Sequence, residues 1–341
     1  MRSFDLKLKG SKLPAVLARG LQSITVSDAL DRLDTMEARF YVPTHEIEKN
    51  SAWHGETFKV TVKTDDGDRE IAGDIIEVSF EKVDNQGVYL IVRGIDALHK
   101  LKRKSQSKTH EGKHSDVAQE TAKAGGFSKT DVQGVSSTAY TYMQTNMTDA
   151  QFIRTLALAN NYVVRVDDGK LRFLRKDAAG PSQAVDIAWK KISRFRVAHN
   201  LDGVVSKVTV VGYDPLKSDG VLKGQASASD ALDISKGQTA PKIVQSKFGG
   251  VEKVVDNSNI TTTSEAEALA KALLQRHADR FVRGSFETEL SPSIQSGGLV
   301  NIEDAPKPVG GKFLVEEVVH SFDPGRGPRT RILFISDGLP K

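Results

Sequence analysis

Along most of the first hundred residues, apolar and polar positions alternate with a period of two, the spacing of half-buried strands. FDLKLKG (Phe4 to Gly10) follows this rule, and the stretch from Ala52 to Asp96 repeats it three or four times. Phe58, Val60 and Val62 share one strand face; Ile76, Val78 and Phe80 share another. DDGD (Asp65 to Asp68) and DNQG (Asp84 to Gly87) supply the turn chemistry between such runs. Short alternating strands joined by polar turns predict a small antiparallel barrel or sandwich. DALDRLDTMEARF admits a helical turn or a strand entering through MEARFYV.

The texture changes near Lys100. KLKRKSQSKTHEGKH is polar, basic and aperiodic, and reads as a linker or exposed loop. SDVAQETAKAGGF then predicts a short helix, with Ser115 as N-cap and Gly125–Gly126 as its stop. After a strand in YTYMQTN comes a second helix, opened by a T-x-x-Q capping box at Thr148 and Gln151. Phe152, Leu156 and Ala159 form its apolar stripe with Ile153 beside them, so this helix packs one face. It ends at Asn160–Asn161, and YVVRVDDGKLRFLR is a hairpin around DDG.

Strand patterns return in ISRFRVAHN and VVSKVTVVGYDP. Residues 214–263 are rich in Gly, Ser and Ala with little core pattern, and read as a mobile surface loop. SEAEALAKALLQRHADRFVRG is the strongest helical pattern in the chain. Ser264 and Glu267 are its capping box, Leu269, Ala272, Leu273 and Phe281 its stripe, and Gly284 its close. About four further strands follow. The expected fold class is mainly β with an α/β middle: two small antiparallel β-barrels linked by an α/β unit. The expected domains are 1–102, 103–186 and 187–341, the last carrying helix 264–283 and the loop 214–263.

Composition narrows the function classes. The 341 residues contain no cysteine, which excludes disulfides, thiolate metal sites and a cysteine nucleophile. No run of 18 apolar residues is present, and MRSFDLKLKGSKLP lacks the apolar stretch of a secretory signal. The net charge of +4 is mild, and basic residues are interspersed with acidic ones.

The search for catalytic motifs comes back empty. His110 and His114 have i, i+4 spacing but no third ligand in view. DDGD and VDDGK lack the alternating oxygens and closing glutamate of a calcium loop, and read as hairpin turns. Nucleotide-binding, zinc-protease and serine-hydrolase signatures are absent. Glu316 and Glu317 lie inside a strand pattern, and His320 reads as a packed histidine. Lys100 to Lys108 is the densest basic run; with no aromatic residue interleaved for base stacking, a solvated linker is the stronger reading than a nucleic-acid contact.

The order of segments carries more information than any single motif. LIVRGIDALHKLKRKSQSKTHEGKHSDVAQETAKAGGF, with Gly94, Asp96, Arg103, Gly112, Val117 and Gly125, resembles the junction of barrel and middle domain in phage late control protein D. The same module occurs in the hub proteins of contractile phage tails and in the N-terminal part of type VI secretion spike proteins. Tyr142, Thr148, Asp149, Phe152, Ile153, Leu156 and Ala157 match the family's strand-and-helix pattern. Glu267, Ala268, Leu269, Ala270, Gly284, Gly298, Val300, Ile302, Val315, Val318, His320 and Phe322 match its C-terminal pattern. The resemblance runs from about residue 4 to 336, with 214–263 poorly matched.

That resemblance implies a structural baseplate hub, not an enzyme, with no cofactor or metal. Three copies would form a trimeric, pseudo-sixfold ring that joins a threefold spike to a sixfold tail tube. The implied partners are a second and third copy, a separate spike protein (the chain stops at SDGLPK), the tube protein and other baseplate proteins. Tape-measure protein or DNA in the lumen would be a further contact. The protein would be made in the bacterial cytoplasm and end in the particle. Phe152, Ile153 and Leu156 would pack the connecting helix, and Lys102, Arg103 and Lys104 would face the lumen or a partner. Two alternatives stay open: a tail-associated cell-wall hydrolase, and a DNA-binding structural protein using residues 100–108.

Overall fold

The computed structural model describes residues 3–47, 53–82, 87–135, 139–214, 220–257 and 260–340. Three of the four DNQG residues lie outside that range, as do 215–219 and 258–259 of the expected loop. The backbone is organised by one 13-stranded sheet. In its N-terminal part, Leu21–Ala29 pairs with Thr35–Pro43, followed by Gly87–Ile95, Gly67–Lys82, Thr57–Thr64 and Ser3–Leu8, every pairing antiparallel. DALDRLDTMEARF therefore resolves as the end of strand 21–29, a turn over 30–34 and a strand entering through MEARFYV. In the C-terminal part, Arg194–His199, Val282–Glu289, Gly327–Ser336 and Gly311–Asp323 pair in that order, with Leu299–Glu303 on part of the last strand.

The two β-blocks are not merely linked through the middle unit. Strand 311–323 pairs with strand 21–29, from Glu317 opposite Ala29 to Phe322 opposite Ile24, so one sheet runs through both. Among the described pairings neither block closes on itself.

Alternation translates into burial where the register is regular. Phe58, Val60 and Val62 are fully buried in the N-terminal core with Phe40, Leu90 and Ile24, each such side chain contributing about 1.5–3 kcal/mol. The expected face of Ile76, Val78 and Phe80 behaves differently. A bulge between Ile75 and Glu77 inserts one residue and splits the expected face: Ile76 is 47% exposed, whereas Val78 lies opposite Val92 and packs on the N-terminal core, and Phe80, opposite Leu90, is 40% exposed.

The expected linker over 100–108 is structured. Residues Ala97–Lys102 form a short 3-10 helix and Ser105–Gly112 a strand paired with Tyr140–Thr148. This strand was hidden because its outward side chains are almost all polar. Helix His114–Ala124 starts one residue before Ser115, with the Asp116 carboxylate accepting from the Lys113 N–H. Helix Asp149–Ala159 has the expected capping box: Thr148 Oγ1 accepts from Gln151 N at 3.3 Å, and Gln151 Oε1 accepts from Thr148 N at 2.9 Å. The VDDGK segment turns strand Tyr162–Asp167 into Lys170–Arg175, with Asp168 at φ 50° and Gly169 at φ 67°, the left-handed pair a tight hairpin requires.

The expected mobile loop over 214–263 is also corrected. Strand Val221–Ser227 pairs antiparallel, and Glu252–Asp256 parallel, with Lys207–Tyr213. Helix Ala240–Phe248 lies between those two flanking strands in the chain, and helix Thr263–Ala278 packs on the sheet through Ala266, Ala270 and Leu274. Small residues concealed this strand for a steric reason. A Cβ on Gly224 would sit 2.2 Å from the backbone carbon of Ala266, so close helix packing demands glycine. The helix expected over 264–283 ends at Ala278, and its N-cap is Thr262, whose hydroxyl accepts from Glu265 N at 3.2 Å. Phe281 follows in a turn and enters the C-terminal core. Among the described residues, no helix is long and apolar enough to cross a membrane.

Candidate functional site at the junction of the units

The three units meet around one carboxylate. Asp28 occupies an inward position of strand 21–29 and has 0% exposure. Its Oδ2 receives Arg69 at 2.6 Å from the neighbouring hairpin, and its Oδ1 receives Arg165 at 3.0 Å from the middle unit. Ser296, in the turn before strand 299–303, donates both its N–H, at 3.0 Å, and its hydroxyl to the same carboxylate. Arg165 also donates to the Ser296 hydroxyl at 2.8 Å. Burial pushes the Asp28 carboxyl upward, but the two guanidinium groups and the Ser296 donors outweigh it and hold it below the usual range. His320, from strand 311–323, is fully buried and exchanges a 2.9 Å hydrogen bond with the Thr330 hydroxyl. Burial, with Arg69 nearby, lowers its pKa to about 3, so the ring is neutral.

Beside this node lie Asp34 and Asp96. Burial raises Asp96 to about 6 and, with Asp28 and Asp96 adding repulsion, raises Asp34 well above its ordinary value. Perturbed carboxylates in a junction are the usual mark of acid–base chemistry. Here three of their four carboxylate oxygens accept from the backbone. Asp96 accepts from Leu98 N and Asp34 N, both at 2.7 Å, and Asp34 Oδ1 accepts from Ala29 N at 2.9 Å. They clamp the 30–34 turn and the start of the 97–102 helix, and both also line a second cavity of about 400 Å3 with Lys59, Arg69 and Asp167.

The residues singled out from sequence distribute as follows. Phe152, Ile153 and Leu156 are buried with Leu98, Leu101 and Phe173 in the middle unit's core. His110 is buried too: its ring stacks on Phe152 at 4.7 Å and meets Gln144 Oε1 at 3.0 Å. His114 contacts Asn160 at 2.7 Å and the Tyr142 ring at 4.6 Å. The pair belongs to packing, and among the described residues no three His, Asp or Glu side chains gather as a metal-binding group. Lys100 and Lys108 approach Asp74 and Glu120, at 3.8 and 3.4 Å, while Lys102, Arg103 and Lys104 are exposed. Sequence reading missed Asp28, Arg69, Arg165 and Ser296. The available signal was a charge inside an apolar strand, as in VVRVD and TVSDAL.

A cavity of about 670 Å3 opens next to the node. It lies between the 30–33 turn, helix 149–159, residues 161–164 and the end of helix 263–278. Leu30, Leu33, Leu98, Leu158 and Val164 are among its apolar lining, and seven basic and three acidic side chains line it too.

The fold has counterparts among solved structures. The 43 kDa tail protein of prophage MuSo2 from Shewanella oneidensis superposes with a TM-score of 0.72 at 15% identity, over 99% of both chains. The tail protein from Neisseria meningitidis gives 0.72 at 14% identity, over 99% of this chain and 97% of the other. An Escherichia coli type VI secretion component, which exhibits structural similarity to the bacteriophage T4 tail proteins gp27 and gp5, gives 0.63 at 12% identity, over 98% of this chain and 77% of its own. The resemblance to tail hubs and secretion spikes read from the sequence therefore holds for the fold, which is mainly β with a large antiparallel sheet. No curated protein matches the chain. One family model does match, over residues 2–323, and the chain belongs to the family it describes, that of the Alg8 N-terminal domain.

Proposed function

We propose that this protein is a structural hub at the baseplate of a contractile tail or injection machine. Three copies would close a pseudo-sixfold ring between a threefold spike and a sixfold tube, with no catalytic role. The observation that carries the reading is the likeness to phage tail proteins along essentially the whole chain, covering both β-blocks and the middle unit together. A sheet continuous through both blocks suits this role, because it holds the two at one fixed spacing within each copy, as alternation around a ring requires. The domains at 1–102, 103–186 and 187–341 serve as two ring segments and a bracket. Helix 149–159 packs the bracket through Phe152, Ile153 and Leu156, and Lys102, Arg103 and Lys104 face a partner or the lumen. The hydrolase alternative gains little from Asp34 and Asp96, because both Asp96 oxygens and Asp34 Oδ1 accept from backbone N–H groups. The DNA-binding alternative is weakened by the acidic neighbours of Lys100 and Lys108.

Light scattering and negative-stain averaging of the purified chain, alone and with a candidate spike protein, test the proposal. A mass of three times 37.2 kDa with a hollow six-lobed ring is expected. A chain that stays monomeric in the presence of spike and tube proteins would contradict it.

A further inference from the structure

The cavity beside the node holds more positive charge than the protein uses. Of its cations, Arg32 is paired with Glu317, Arg154 with Asp31 and Lys176 with Asp279. Lys102, Arg280 and Arg283 are exposed and make no ion pair or side-chain hydrogen bond among the described residues. Arg276 donates to the Leu158 carbonyl, yet its buried Nε has no hydrogen-bond partner among those residues. The chain as a whole is nearly balanced, with 48 basic and 44 acidic residues, so this lining is a local excess. Part of the wall is apolar: Leu33 and Leu98 line it, and Leu158 stands 39% exposed at the last turn of helix 149–159.

An apolar wall with unpaired cations selects a ligand with both characters. We infer that this cleft docks an acidic, amphipathic segment of another polypeptide, with apolar side chains on the Leu33, Leu98 and Leu158 wall and carboxylates against Lys102, Arg280 and Arg283. A compact anion such as phosphate would satisfy the cations and leave the leucine wall in water. A purely apolar segment would leave the cations without partners. An acidic segment alternating with leucine meets both demands, and its attraction weakens as salt screens the cations.

Fluorescence anisotropy with the full chain tests this directly. The probe is a labelled 15-residue peptide carrying leucine at i, i+4 spacing between glutamates; its control carries lysine in place of glutamate. Saturable binding of the glutamate peptide alone is expected, weakening as NaCl rises. Affinity should fall at least tenfold both in the triple variant Lys102→Gln, Arg280→Gln, Arg283→Gln and in Leu158→Glu. These residues are exposed, so circular dichroism melts should match the parent chain. Absence of saturable binding would overturn the inference, as would unchanged affinity in both variants. Displacement by millimolar inorganic phosphate, with no loss in Leu158→Glu, would identify a small-anion site and also overturn it. The assay needs neither ring nor spike, so its outcome is independent of the oligomeric state.

Discussion

At the residue scale, the charges at the junction are held in different protonation states by one apolar environment. Asp28 stays ionised because two guanidinium groups meet it, whereas His320 stays neutral because burial disfavours its charged form and the Arg69 cation adds to that. Removing one partner of such a buried set is typically worth about 3–5 kcal/mol, since the remaining charge stays buried. The consequences for pH differ by group. The unfolded chain protonates His320 near its ordinary 6.5, and the folded chain only near about 3. Its contribution is complete above 6.5 and is lost as pH falls through that window, by at most about 1.4 kcal/mol per pH unit. Asp96 runs the opposite way: with a folded value of about 6 it takes up its proton first in the folded state, so stability rises as pH falls from 6 toward its ordinary 3.8. His320→Gln should therefore gain on the parent chain between pH 6.5 and 4, by about 1.4 kcal/mol per unit. Urea midpoints at pH 7, 5.5 and 4 measure this, and a constant gap would remove His320 as the titrating group.

At the element scale, helix 149–159 shows what sequence pattern can and cannot specify. Its start was legible because a capping box is a local device, with partners three residues apart. Its buried stripe was legible because 3.6-residue periodicity needs only neighbours on one helix. Thr148→Ala should lower stability by about 1 kcal/mol in thermal or urea unfolding. Leu156→Asp places a charge in the middle unit's core and should abolish folding or assembly, read as loss of soluble, correctly sized material. A normally assembling Leu156→Asp protein would remove the packing role of this helix. Strand 105–112 and the 214–263 region were not legible for a shared reason. Their register is set by distant partners, and their composition is polar in one case and Gly/Ala-rich in the other. Gly224 is the clearest instance: glycine there reports the approach of Ala266, some forty positions away, rather than a loop.

At the scale of the molecule, the junction was invisible for the same reason, since Asp28 and Ser296 are separated by 268 positions. Only the order of weak motifs carried information over that range, and it led to the right fold. The pairing of strand 21–29 with 311–323 makes the halves interdependent. A fragment of residues 1–186 leaves that strand edge unpaired and takes from Asp28 both hydrogen bonds of Ser296. It should sediment as aggregate after expression, and co-expression of residues 187–341 should return it to the soluble fraction. A soluble, monomeric fragment with native-like amide protection would show that the N-terminal block is self-sufficient.

The same pairing sets a schedule for the nascent chain. Ser27 meets Glu317 across 290 positions, and at synthesis rates of roughly 5–20 residues per second that is on the order of 15–60 s between the emergence of one partner and the other. During this interval strand 21–29 presents an unpaired edge in a crowded cell, where the commonest neighbour on the same message is another incomplete copy of this protein. Ribosome spacing therefore becomes a physical variable for this fold, because each nascent edge can be captured by the C-terminal strand of the chain ahead. Such an exchange between copies would be harmful in a monomer; were the proposed ring to form, it would also bring copies together before any of them is finished.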